Sequence, residues 1–377
     1  MTAGPLFLGS EVYRGSSYGP GHPLRIPRVP VVTDLCRALG WLPPGQFRTA
    51  PRARPAALAL WHTPAYITAL ERAEAIARGA TAVPGEVDHL RHAHGLGTLS
   101  NPLYPEMFRR PATGAGGALW AAEWLATRDR GAVHVPGAGT HHGLPDRASG
   151  FCYLNDVVLA LKGLQRRGLS RLAYVDIDAH AADGVELAFA DDPQVLVISV
   201  HEEGRWPFTS GLEDRGRGNV YNLPVPRGLN DSAMALIRDR LILPLVAAHA
   251  PQAIVLQAGA DALAEDPLSR LALSNNAHLA VMQGLRVLAP RLMVTGGGGY
   301  NPWSVGRAWA LLWAGLTGAE IPDRLPPEAA AVLAALSWQG GGRPPPAPHM
   351  LSTLRDPPRE GPIPPEIPHR IERLLSR

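Results

Sequence analysis

Five apolar runs of strand length recur along the middle of this chain, and four of them lead directly into residues that carry chemistry. The runs are "AVHVPG", "RLAYVDI", "VLVISV", "AIVLQAG" and "RLMVTGG". They alternate with longer stretches of helical periodicity, notably 155–167, 231–248 and 276–288, across 120–316. Near-continuous apolar strands separated by helices are the pattern of a parallel sheet covered on both faces. The expected fold is therefore α/β, with a mostly parallel central sheet in a single large domain. At 377 residues the chain is long enough to bury such a core. The first 110 residues are mixed, and "ARPAALALWHTPAYITALERAEAIARG" reads as helices.

Composition narrows the function class. Hydrophobic residues make up 46% and charged residues 18%, as in an ordered globular protein. The formal charge is only +3, and Lys162 is the single lysine. Basic residues occur as short pairs such as Arg109-Arg110 and Arg166-Arg167 rather than along one face, so no nucleic-acid partner is expected. Cys36 and Cys152 are too few for a disulfide framework or a cysteine-rich metal site. The opening "MTAGPLFLGSEVYRG" has no basic region before an apolar one, and "LILPLVAAHAPQAIVLQAG" is interrupted by Pro, His and Gln. A cytoplasmic protein with no membrane partner is expected; the oligomeric state is left open. After Ile321 proline dominates, through 344–346 and "DPPREGPIPPEIPHR". This divides the chain into a body, 1–320, and an extended wrap, 321–377, ending in a short helix near 371–375.

The strand ends hold the functional signal. "AVHVPGAG" runs into His141 and His142, "RLAYVDI" into Asp178 and His180, "AIVLQAGA" into Asp261, and "RLMVTGGGG" into Tyr300. Ligands of open α/β sheets sit beyond the carboxyl ends of the strands, so these groups are expected to share one pocket. In extended backbone, residues two apart project to the same side, which lets Asp178 and His180 reach one ion. With Asp261 they make a one-histidine, two-carboxylate set that suits a catalytic Zn2+ or Fe2+ with a position open for water. His141 and His142 are candidate bases, with Asp176 and Asp183 as partners that fix their tautomers. "TGGGGY" lacks the lysine of a phosphate loop and is better read as a turn presenting the Tyr300 hydroxyl to an oxyanion. Trp303, Trp309 and Trp313 recur at near-helical spacing and read as core, and Cys152 reads as a small buried hydrophobe.

Taken in order, "GPGHPLRIPR", "HHGLPDRASGFCYLNDVVLAL", "DIDAHAADGVELAF", "LQAGADALAEDPLSRLALSNNAHLAVM" and "GGGGYNPWSVGRAWALLW" resemble the histone deacetylase family, above all its bacterial acetoin-utilization branch. The likeness covers about 6–318. It implies the arginase/deacetylase-like fold and a zinc-dependent hydrolase that removes acetyl groups from acetyl-lysine of proteins. It implies zinc on Asp178, His180 and Asp261, the paired histidines His141 and His142 backed by Asp176 and Asp183, and Tyr300 on the acetyl carbonyl. Gly150, Phe151, Phe208 and Gly298 match the acyl-chain tunnel. Asp176 and Ser199 match a structural monovalent cation site, K+ in relatives.

Three departures from that pattern shape the expectations. Ala181 and Ala182 stand where the family usually has a second histidine and a glycine, away from the expected ligands. Ser100, in "GTLSNP", stands where relatives carry an Asp that grips the substrate backbone, which favours a smaller substrate such as an acetylpolyamine. The loop "GRWPFTSG" is short, which makes Trp206 the alternative to Phe208 as tunnel wall. An arginase-like ureohydrolase also uses "DAH" but needs a second metal; Ala182 and "GADALAEDP" supply no bridging carboxylates for one. A catalytically silent binder of acetylated ligands is countered by the intact metal and Tyr positions.

Overall fold

The five expected strands form the middle of one eight-stranded sheet. In the computed structural model, which describes residues 4–338 and 345–376, the strands are β1 (Leu6–Gly9), β2 (Phe47–Thr49), β3 (Gly131–Val135), β4 (Leu172–Asp176), β5 (Val195–Glu202), β6 (Val220–Val225), β7 (Ala253–Gln257) and β8 (Arg291–Thr295). Their spatial order is β2-β1-β3-β8-β7-β4-β5-β6, and every adjacent pair is parallel. The chain passes from β3 to β4 and later fills the gap with β7 and β8. The order therefore reverses at the centre of the sheet, and β3, β8, β7 and β4 become neighbours. Their last residues are level: Val135 pairs with Thr295, Thr295 with Gln257, and Gln257 with Asp176. All four strands release their chains at the same edge and height, where a crevice forms.

The sheet is buried on both faces with period two. Ala173 and Val175 of β4 face one core together with Val31, Leu35, Leu279, Met282 and Trp309. Leu172 and Tyr174 face the other, with Leu125, Val158, Leu161 and Phe189. Helices Val29–Ala38, Asn275–Arg286 and Pro302–Thr317 thus cover one side, and Arg109–Ala126, Asp156–Arg166 and Asp183–Phe189 the other. Trp303, Trp309 and Trp313 are buried in the core, as is Cys152 beside the site. Among the described residues no helix is long and apolar enough to cross a membrane.

The differences from the sequence reading have local causes. β1 and β2 have four and three residues, too short for a readable alternation. β6 contains Pro224, tolerated because this strand is a sheet edge. The helix expected at 231–248 is Asp231–Ile237, a π turn Arg238–Ile242, and Leu243–His249. Pro244 has no N–H to return to the Arg240 carbonyl, so the regular ladder breaks there.

The proline-rich tail contributes to the core rather than only covering it. Met350, Leu354, Ile367, Ile371 and Leu374 join the cluster on the Trp309 side. The final helix, Glu366–Leu375, starts earlier than expected because Pro368 falls in its first turn, where the missing N–H would have no partner anyway. Pro344 of the proline run lies outside the described residues. The tail is fastened by Arg307, fully buried, which donates to Asp356 at 2.6 Å and to the carbonyls of Thr353 and Arg355 at 2.8 and 2.9 Å. Asp356 also accepts the Asn275 N–H at 2.9 Å. Removing one partner of a buried ion pair leaves an uncompensated charge, so Asp356→Ala is expected to destabilise the protein by about 3–5 kcal/mol. A denaturant midpoint within error of wild type would contradict this.

Candidate active site

The stretch after β4 is shaped by its own carboxylates. Asp176 Oδ1 accepts the Asp178 N–H and Asp178 Oδ1 accepts the His180 N–H, both at 2.9 Å. Each acid bonds the backbone two residues on, which holds an irregular turn in place of a helix start. Asp261 leaves β7 in the short turn Ala260–Ala262, and its Oδ1 accepts the Ala179 N–H at 3.0 Å. Asp178 Oδ2 accepts the Gly298 N–H at 2.6 Å, from the loop after β8. Three strand ends are thereby stitched together. One ligand atom from each of Asp178, His180 and Asp261 lies within 4.8 Å of the others, the arrangement expected from the sequence. His180 Nδ1 is 2.9 Å from Asp261 Oδ2 and 3.2 Å from Asp178 Oδ1.

This donor set fits a divalent cation. Nitrogen and carboxylate oxygens converge with their other oxygens already oriented by backbone donors, as metal ligands usually are. Space is kept by glycine: a Cβ on Gly298 would lie 2.0 Å from Asp261 Oδ2, and one on Gly259 2.1 Å from Asp178 Oδ2. Electrostatics points the same way. Burial alone would depress the His180 imidazole, but Asp178 and Asp261 raise its pKa to about 10. Burial would raise both carboxyls; His141 and His180 instead hold Asp178 well below the usual carboxylate range, while Asp261, beside charged Asp178, is pushed up. The pocket calls for positive charge at the point where the three groups meet.

The turn after β3 places His141 and His142 against this set, with ring centroids 3.9 Å apart. His141 Nδ1 donates to Asp176 Oδ2 at 2.7 Å and His142 Nδ1 to Asp183 Oδ1 at 2.6 Å, the pairing the sequence suggested. The two imidazoles are held apart in proton affinity. Burial opposes charge on His141, but Asp176 and Asp178 outweigh it and raise its pKa to about 9. Burial and neighbouring His141 lower His142 to about 4. Tyr174 also donates its hydroxyl to Asp176 Oδ2, a role the sequence reading missed. Its signal was available: two residues before Asp176 in β4, it points to the same side of the strand. Ser199 is level with Asp176 on β5, and its hydroxyl lies 2.9 Å from His201 Nδ1.

Above the triad opens a cavity of about 400 Å³, lined at its base by His142, His180 and Tyr300. The Tyr300 N–H is held by Asp266 Oδ2 at 2.7 Å, and its ring meets Phe151 edge-on at 5.8 Å. Its hydroxyl has no hydrogen-bond partner among the described residues. The wall facing Gly150 is Trp206: a Cβ on Gly150, whose φ is +49°, would lie 2.2 Å from the indole. The indole also stands edge-on to His142 at 4.6 Å. Phe208 lies at the mouth of the same cavity and is 74% exposed. Gly298 does not line the cavity; it sits beside Asp178 and Asp261. Ser100 is exposed at the rim, its carbonyl 3.1 Å from His22 Nε2.

An open parallel sheet with this buried Asp-His-Asp set and two His–Asp pairs at its carboxyl edge defines a metal-dependent hydrolase of the arginase/deacetylase-like α/β class. The histone deacetylase domain model matches residues 22–316, and the chain belongs to the histone deacetylase family, whose members are deacetylases. It is 33% identical over 337 residues to the acetoin utilization protein AcuC of Bacillus subtilis (strain 168), covering 86% of this chain and 84% of that protein. It is 33% identical to histone deacetylase 9 of Arabidopsis thaliana, covering 83% of this chain and 73% of that one. Among solved structures, a histone deacetylase homologue from Aquifex aeolicus superposes with a TM-score of 0.90 at 32% identity, covering 98% of this chain and 99% of that one. A homologue solved in complex with SAHA gives 0.91, also at 32% identity and with the same coverage.

The role of the missing side chain at 298 is testable without turnover. Disturbing groups that orient metal ligands typically costs about 10–100-fold in affinity, so Gly298→Ala is expected to lose at least about tenfold in zinc affinity. Competition with a chromophoric chelator measures it, with circular dichroism to confirm the fold. Wild-type affinity in the folded variant would contradict the packing described.

Proposed function

We propose that this chain is a zinc-dependent amidohydrolase that removes acetyl groups from acetyl-lysine side chains of proteins. The observation that carries the reading is the convergence of Asp178, His180 and Asp261 within 4.8 Å beside a cavity also lined by His142 and Tyr300. The ion these residues would hold, Zn2+ or Fe2+, supplies Lewis-acid polarisation and acidifies a bound water, so that a histidine base suffices near neutral pH. The cavity bounded by Phe151, Trp206 and Leu268 positions an extended acyl-amine chain. His142 at the cavity base takes a proton from water and returns it to the leaving amine, while His141 behind it, kept charged by Asp176 and Asp178, supplies a proton and positive charge beside the reacting group. Asp176 and Asp183 hold the Nδ1–H of each ring, which leaves the other ring nitrogen of each for that transfer. Tyr300 donates its unpartnered hydroxyl to the acetyl oxygen as negative charge grows there. A monovalent cation, K+ in the family pattern, belongs to the same reading beside Asp176 and Ser199. Two free, buried cysteines accord with the cytoplasm as its compartment.

Ser100 at the rim favours a second reading within the same chemistry. A serine gives the substrate backbone a weaker grip than a carboxylate would, which suits a small acetylated amine. A side-by-side rate comparison of acetyl-lysine peptides and small acetylated amines, on metal-defined protein with and without chelator, separates the two. The transition-state role of Tyr300 has its own test. Removing one such donor costs about 10²–10³ in kcat, so Tyr300→Phe should fall by that factor with little change in KM. A variant within a few-fold of wild type would take Tyr300 out of the chemistry.

A further inference from the structure

We infer that the cavity mouth selects for negative charge: Arg227 is placed to receive a carboxylate beside the acetylated amine. This rests on the deacetylase reading above and narrows the substrate class within it. The carboxylate would come from an Asp or Glu next to acetyl-lysine, or from the α-carboxylate of a terminal acetyl-lysine.

The charges lining the cavity support this. Glu202 is its only lining carboxylate among the described residues, and its oxygens are already engaged. Oε2 accepts from Arg205 Nε at 2.6 Å and from the Arg270 N–H at 2.7 Å, and Oε1 from Arg205 Nη2 at 2.8 Å. Arg205 donates its remaining nitrogen, Nη1, to the Leu268 carbonyl. Glu202 and Arg205 therefore satisfy each other inside the wall. Arg227 does not share this arrangement. Its Nε is 3.6 Å from Glu202 Oε1, too long for a hydrogen bond, and its side chain is 76% exposed. That loose ion pair engages only its Nε; no hydrogen bond to its guanidinium exists among the described residues, so Nη1 and Nη2 remain available to a carboxylate at the mouth. Two guanidiniums against one carboxylate leave the lining with an excess positive charge, and Ser100 adds no carboxylate at the rim. Phe208, Trp206 and Leu268 line the same mouth.

The reach of the effect is short. At physiological salt the Debye length is about 8 Å, so Arg227 acts on groups adjacent to the acetylated residue and not on distant ones. A polyamine substrate would bring a second ammonium to the same place and be repelled.

The experiment is a charge series on metal-loaded protein: acetyl-lysine peptides flanked by Glu, Gln or Lys, one ending in acetyl-lysine with a free or an amidated carboxyl, and N-acetylspermidine. Exposed ion pairs are weak, so KM should rise by about 3- to 5-fold from Glu to Gln and again from Gln to Lys, with kcat unchanged. The terminal pair shows which carboxylate is preferred. Arg227→Gln should flatten the series, Arg227→Glu should invert it, and about 0.5 M salt should shrink it. Equal KM values across the wild-type series, or a series unaltered in Arg227→Gln, would overturn the inference. The Gln peptide reports deacetylation alone: its failure to turn over strikes the deacetylase reading, whereas a flat series on active enzyme strikes only this one. Fluorescence anisotropy of the same peptides reads the charge preference independently of turnover.

Discussion

Two carboxylates, those of Asp178 and Asp261, are brought out of water to the same side chain, His180, and everything around them answers that electrostatic demand. Burying a single ionised group costs several kcal/mol even after relaxation, and a second like charge nearby adds repulsion. A fold can sustain the arrangement only if positive charge and directed donors meet it. The backbone N–H groups of Ala179, His180 and Gly298 supply the donors. A divalent ion would supply the charge, and the glycines at 259 and 298 keep the ligand oxygens free of neighbouring side chains. The sheet topology exists in the service of that point, since only adjacent, level strand ends can bring these residues together from more than 80 positions apart.

The same constraint organises the histidines proposed for acid–base work. Asp176 ends β4 and spends one oxygen on the Asp178 N–H and the other on His141 and Tyr174. It thus couples the shape of the metal turn to the orientation of a histidine. Asp183 begins the next helix and holds His142. Each histidine is held by its carboxylate, the orientation the proposed proton transfer requires.

Much of this was legible in the sequence because it is written in short-range spacing. The i, i+2 pattern of Asp176, Asp178 and His180 needs only an extended chain, and the central strands announce themselves as apolar runs. What escaped depends on chain pairings with no local mark. β1 and β2 are too short to carry a period, and Pro224 hid an edge strand. Nothing local marks Arg307 and Asp356 as partners; the tail carries Asp356 onto Arg307 and both are buried. The choice between Trp206 and Phe208 turned on a loop whose course the residues alone do not specify; the absence of a side chain at Gly150 admits the indole. His142, His180 and Tyr300 lie at the base of the cavity, whereas Ser100, Phe208 and Arg227 lie at its rim. Interior groups are tied to one another by several bonds each, and rim groups by few, so the rim is where substrate choice can differ.

Asp178, His180 and Asp261 are proposed to hold one catalytic cation between them. A crystal structure of the purified, metal-loaded protein, with anomalous data collected across the absorption edge of the ion, tests it most directly. One strong peak per chain within bonding distance of all three residues is the predicted result. A peak elsewhere, or two peaks sharing these carboxylates, would contradict it.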